Sequence, residues 1–107
     1  MKIECSDHLH YKVVALSGEV DLSNSSTVRQ SIKDELNKSK SIIVDFSELK
    51  YIDSSGVATL VEGLNQANTK GLKFYIAAAN GAPLQVLELT RLNRVFAMVD
   101  AVSDIKE

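Results

Sequence analysis

The 107-residue chain has no tryptophan, one cysteine, one proline, two histidines and six aromatic residues, three Tyr and three Phe. Each scarcity excludes something. A lone Cys5 leaves no internal disulfide and no multi-cysteine metal site. It reads instead as a small buried or half-buried residue near the first strand. No run approaches the roughly 20 apolar residues that a membrane-spanning helix needs, so no membrane insertion is expected. Residues 1–7 lack the apolar core of a signal peptide. Cationic charge is also short, with 12 Lys and Arg against 14 Asp and Glu and a net charge of −2. No basic stripe supplies the phosphate-neutralising charge of a general nucleic-acid or anionic-membrane binder. At 45% apolar and 24% charged, the chain is long enough to bury a core without staples. The expectation is one reduced, cytoplasmic, soluble domain over residues 1–107, monomeric when free.

What is present is an alternation of strand and helix patterns. Residues 2–6 and 11–17 predict two short strands forming a hairpin, broken by residues 17–21. The polar run 22–27 is dense in capping residues. It reads as serine caps rather than as a linker, because Val28, Ile32 and Leu36 follow a turn apart. Residues 41–46 predict a buried strand and 47–50 a connection. Val57, Leu60, Val61, Leu64 and Ala67 share one face of a helix that runs to about Lys70, where Gly71 stops it. Residues 72–78 predict a strand whose small side chains point to helices on both faces. Residues 80–83 form a turn with Pro83 at the first helical position. A helix follows to about Asn93, then a short strand over 94–99, and Asp100 caps a terminal turn carrying Val102 and Ile105. The order β-β-α-β-α-β-α-β-α is an α/β fold: a mixed, mostly parallel sheet of four to five strands, an N-terminal antiparallel hairpin and about four helices.

The centre of this pattern is residues 51–57, Tyr-Ile-Asp-Ser-Ser-Gly-Val. Asp53, Ser54 and Ser55 stand where the long helix begins. One reading is an ordinary cap, accepting hydrogen bonds from unpaired backbone N–H groups. The other is a phosphoryl acceptor, since a helix N-terminus favours a phosphate and a phosphoserine adds roughly two negative charges.

Other chemistries find little support. A phosphate-cradling loop would need a Gly-Lys-Ser/Thr signature, which is absent. A serine hydrolase would need a histidine near Ser54 or Ser55, and His8 and His10 both belong to the hairpin. As a pair two residues apart they are too few ligands for a usual metal site. Asp21, Asp45, Asp53 and Asp100 all fall near strand ends, where they can gather around a cation or act as caps.

Four segments in order are similar to one family. Residues 16–21 (Leu-Ser-Gly-Glu-Val-Asp), 42–49 (Ile-Ile-Val-Asp-Phe-Ser-Glu-Leu), 51–57 and 89–96 (Leu-Thr-Arg-Leu-Asn-Arg-Val-Phe) resemble the STAS domain, the module of sulfate transporters and anti-sigma factor antagonists. The resemblance is strongest to the free-standing bacterial antagonists. It implies that Ser54 is phosphorylated by an ATP-dependent serine kinase, itself the anti-sigma factor, and reset by a serine phosphatase. The unphosphorylated antagonist binds the kinase and the phosphorylated form lets go. The partner surface it implies comprises Asp21, Asp53, Ser54, Ser55 and Gly56, with Asp53 orienting the Ser54 hydroxyl or capping the helix. No catalytic group, cofactor or direct nucleic-acid contact is called for. The family often has Leu-Gly after the motif glycine; Val57-Ala58 keeps an apolar residue followed by a small one. The resemblance also admits a non-enzymatic STAS subunit of a larger assembly, such as a lipid-transport ABC system or a non-sigma signalling complex.

Overall fold

Alternation of side chains along the strands sorts the apolar residues onto the two faces of one five-stranded sheet. The computed structural model describes residues 1–107. Strands β1 (Lys2–His8) and β2 (Tyr11–Val20) pair antiparallel, and β3 (Ser41–Ile52), β4 (Phe74–Ala77) and β5 (Ala97–Val99) continue the sheet in parallel, in chain order. Helices α1 (Ser25–Asn37), α2 (Ser54–Thr69) and α3 (Gly81–Leu89) make the three crossovers.

All three helices pack on one face. Val14, Leu16, Ile42, Val44, Phe46 and Ile76 meet Val28, Ile32, Leu36, Leu60, Ala67 and Leu87 in a cluster of 18 buried residues. Each of these larger aliphatic side chains contributes roughly 1.5–3 kcal/mol by burial. The expectation of helices on both faces is therefore overturned. When each strand is added on the same side of the last and every crossover is right-handed, all crossover helices fall on the same face. The opposite face is closed by the segment after β5. There Ile105 packs on Tyr11, Val13, Ile43 and Ala77 in a second cluster of five, and His8 Nε2 lies 2.6 Å from the Ile105 carbonyl oxygen.

The largest departure from expectation is in β2 and β3. Both run past their expected ends at residues 17 and 46, and the supposed break at 17–21 and connection at 47–50 are largely strand. Ala15 pairs with Asp45 but Ser17 with Glu48, and Gly18 pairs with Leu49 but Glu19 with Tyr51. Two bulges thus insert extra residues in β3, each shifting the inward phase by one. Val44, Phe46, Leu49 and Ile52 all reach the core, at spacings of two, three and three, which no period-2 pattern matches. Gly18, with φ +82°, takes up the backbone twist on β2.

Smaller adjustments have local causes. α2 ends in a Schellman turn: Gly71 is left-handed (φ +70°), and the Leu72 N–H donates to the Ala67 carbonyl at 2.8 Å. Ahead of α1 the cap position is Asn24, with Ser25 buried inside the helix, so the serines do not cap. α3 begins at Gly81, two residues before Pro83, and is shorter than expected; a single 3₁₀ turn, Leu92–Arg94, leads to β5. The expected fourth helix is a 3₁₀ turn, Val102–Asp104, preceded by Ala101 and not by Asp100. Cys5 is exposed on the edge strand. No helix is long and apolar enough to cross a membrane.

Because Ile105 closes the helix-free face, Ile105→Ala should cost roughly 2 kcal/mol, the low end for a buried Ile truncation. Urea unfolding should show the loss, while far-ultraviolet circular dichroism should show unchanged helix content.

Candidate functional site

The bulges carry β3 to the end of β2, and this places Asp53 beside the loop that follows Val20. The Asp53 backbone N–H donates to the Val20 carbonyl at 3.1 Å, and the Asp53 carbonyl accepts from Val57 N–H at 3.0 Å to open α2. Its backbone is extended (φ −101°, ψ −175°), as a cap position requires. The carboxylate then ties two elements together. Oδ1 accepts from Ser55 N at 2.9 Å, Gly56 N at 3.1 Å and the Ser55 hydroxyl at 2.6 Å, while Oδ2 accepts from Leu22 N at 3.1 Å. The Ser55 hydroxyl bond, with the Gly56, Ser55 and Leu22 backbone donors, holds the Asp53 carboxyl below the ordinary aspartate range against a smaller opposing desolvation.

Of the two roles expected for Asp53, the structure shows the cap. The hydroxyl it holds belongs to Ser55. Ser54 is exposed at the first helical position, and its hydroxyl has no hydrogen-bond partner in the chain. Ser55 is half-buried, and its carbonyl accepts from the Thr59 hydroxyl at 3.0 Å. Gly56 is buried. A Cβ there would stand 2.6 Å from Ile52 Cγ1 and 2.8 Å from Val20 Cγ1, so the missing side chain is what lets the helix seat on the sheet.

The β2–α1 loop is organised the same way. Asp21 Oδ1 accepts from the Ser23 N–H at 2.9 Å and from the Ser23 hydroxyl at 2.5 Å. Asn24 Oδ1 accepts from Asp21 N at 2.9 Å, and Asn24 Nδ2 donates to the Glu19 carbonyl at 3.0 Å. Asp21 and Asp53 thus lie on adjacent, mutually bonded loops. Asp45 instead pairs mid-sheet with Ala15 and Ala77, and no group of three or more His, Cys, Asp or Glu is placed to hold a metal ion. The histidines belong to the other end of the sheet: His8 pairs with Tyr11 at the start of β2, whereas Ser54 follows the end of β3. The residue that the motif pattern passes over is Leu22, 81% exposed with its N–H on Asp53. Its signal in the sequence is an apolar side chain that stands alone among capping residues and belongs to no helical face.

The STAS domain profile matches residues 1–105. The chain belongs to the STAS domain family. Among its relatives is the anti-sigma F factor antagonist of Paenibacillus polymyxa, 24% identical over 102 residues that cover 94% of this chain and 87% of that one. Among solved STAS-like structures, an anti-sigma factor antagonist from Mycobacterium paratuberculosis superposes with a TM-score of 0.87 at 23% identity, covering 96% of this chain and 88% of that one. The Bacillus cell fate determinant SpoIIAA, solved in its phosphorylated form, superposes at 0.76 with 18% identity and covers 96% and 95% of the two chains. At these identities the two structures establish the fold, which this STAS chain shares over nearly its whole length.

Two outcomes test this geometry. Gly56→Ala should destabilise the domain by roughly 1–3 kcal/mol, because the new Cβ meets two buried side chains that cannot swing away; chemical denaturation would measure it. Asp53 has a lowered folded-state pKa, so its contribution is complete above the ordinary value of 3.8 and is lost as pH falls through the lower folded value. The stability gap between wild type and Asp53→Asn should therefore be widest near neutral pH and shrink in acid, in unfolding curves recorded across that range.

Proposed function

We propose that this STAS domain is an anti-sigma factor antagonist whose switch is phosphorylation of Ser54. The observation that carries the reading is the division of labour between the two serines. Asp53 engages the hydroxyl of Ser55 and leaves that of Ser54 free, exposed, at a helix N-terminus. A kinase can reach the Ser54 oxygen without breaking a hydrogen bond of the fold. The family assignment and the naming of the relatives as antagonists support the same role, as does the existence of a phosphorylated form of SpoIIAA.

In the proposed cycle the unphosphorylated face binds an ATP-dependent anti-sigma serine kinase. The Ser54 oxygen attacks the γ-phosphorus of ATP, an O–P bond forms, ADP leaves, and the hydroxyl proton passes to a base on the kinase. A serine phosphatase restores the hydroxyl with water, breaking the O–P bond and releasing inorganic phosphate. The antagonist needs only to present the oxygen and to report the charge, so it acts as a non-enzymatic regulator. Both histidines stand at the far end of the sheet, and the carboxylate nearest in sequence, Asp53, is committed to Ser55, Gly56 and Leu22.

Release follows from electrostatics. Phosphorylation adds roughly two negative charges beside Asp53 and Asp21. No Lys or Arg occurs in residues 13–28 or 51–69, the stretches that build this face. The phosphate finds no side-chain cation within them, so its charge faces outward, toward a partner that already holds nucleotide phosphates. Repulsion and the cost of desolvating a dianion both oppose re-docking.

Intact-mass analysis with ATP and the serine kinases of the source organism should show one addition of about 80 Da on Ser54, absent from Ser54→Ala. Ser54→Ala should still bind the kinase, and Ser54→Asp should bind at least about tenfold more weakly. No addition with any such kinase would sink the phosphoswitch and favour a constitutive STAS subunit.

A further inference from the structure

We propose that Leu22 is the apolar anchor of the Ser54 face, and that the kinase meets it with an apolar socket bordered by Lys or Arg side chains. The proposal rests on the kinase-binding function above and adds the chemistry by which this face is recognised.

A single exposed leucine is ordinary on a protein surface. Leu22 differs in how it is held. Its own N–H is fixed to Asp53 Oδ2 at 3.1 Å, on the residue directly before Ser54. On either side the loop is locked, by Asp21 Oδ1 on the Ser23 N–H at 2.9 Å and by Asn24 reaching both Asp21 N and the Glu19 carbonyl. The backbone beneath Leu22 is thus ordered before any partner arrives, while the side chain remains 81% exposed. Burying a pre-positioned side chain costs less ordering entropy than burying one on a mobile loop, so more of the burial energy appears as affinity.

The surroundings state the sign of the partner. Asp21 and Asp53 flank Leu22 in the loop and across its tie to the helix, exposed Glu19 stands at the end of β2, and residues 13–28 and 51–69 contain no Lys or Arg; Arg29, just beyond, is already paired with Glu62. An anionic collar around one apolar side chain repels nucleic acid, anionic membrane and the same face of a second copy. It complements a cationic rim around an apolar pocket. The anchor and the switch are separable: burial of Leu22 is indifferent to charge, whereas docking at Ser54 is not.

The experiment uses the full chain and the kinase that modifies Ser54, comparing wild type with Leu22→Ser and Leu89→Ser. Leu89 is 84% exposed at the end of α3 away from Ser54 and serves as the control. Leu22→Ser should lower kcat/KM for Ser54 phosphorylation, and affinity for the unphosphorylated chain, by roughly 10–100-fold, the loss expected for one buried Leu. Leu89→Ser should behave as wild type, both variants should keep the wild-type Tm, Leu22→Met should restore binding, and added salt should slow association. Wild-type kinetics and affinity in Leu22→Ser, or equal losses in both serine variants, would overturn the anchor while leaving the phosphoswitch standing. If no kinase modifies Ser54 in the wild type, anchor and phosphoswitch fall together.

Discussion

One carboxylate holds together the end of this domain where α2 begins. Asp53 accepts from two backbone N–H groups and one hydroxyl at the start of α2, and from a third backbone N–H on the neighbouring loop. Helix, loop and strand end are thereby fixed by a single side chain, and its ionised form is favoured by the same bonds. Remove that acceptor and the helix start, the loop and the spacing between Asp21 and Ser54 all lose their common reference. Charge-assisted hydrogen bonds of this kind are stronger than neutral ones, which suits a group that must act as a hub.

The hub depends in turn on the irregularity of β3. A regular strand would reach the same end of the sheet with alternating residues inward. The two bulges instead send Phe46, Leu49 and Ile52 all into the core and bring Asp53 next to Val20. Gly56 completes the fit, because any larger residue would strike Ile52 and Val20. Core packing and the exposure of Ser54 are therefore consequences of one arrangement: the helix is seated deeply, and its first residue is left outside.

Regulation by charge suits such a platform. The cap satisfies the deeper donors of the helix internally, so the outer serine is left to the solvent and to partners. The stretches 13–28 and 51–69 hold no cation to neutralise an added phosphate; of the cations at their edges near this end, Arg29 is already paired with Glu62 and Lys50 lies in β3. In the proposed switch the charge added at Ser54 is read by the partner directly, with no rearrangement of the fold required.

Much of this was legible in the residues. The strand and helix order, the antiparallel hairpin and the cap at Asp53 follow from periodicities of two and 3.6 and from capping chemistry, which are local properties of the chain; the choice of Ser54 over Ser55 rests on the family resemblance. The length of β3 was not legible, because a bulge erases alternation while keeping the strand. Helices on a single face were not legible from the small residues of β4, since that is decided by the handedness and order of crossovers. Nor did the chain alone say which serine Asp53 holds, or that Leu22 is displayed rather than buried. The first is set by the rotamers at the seated start of α2 and the second by a tie between residues 31 positions apart, and only the folded chain fixes either.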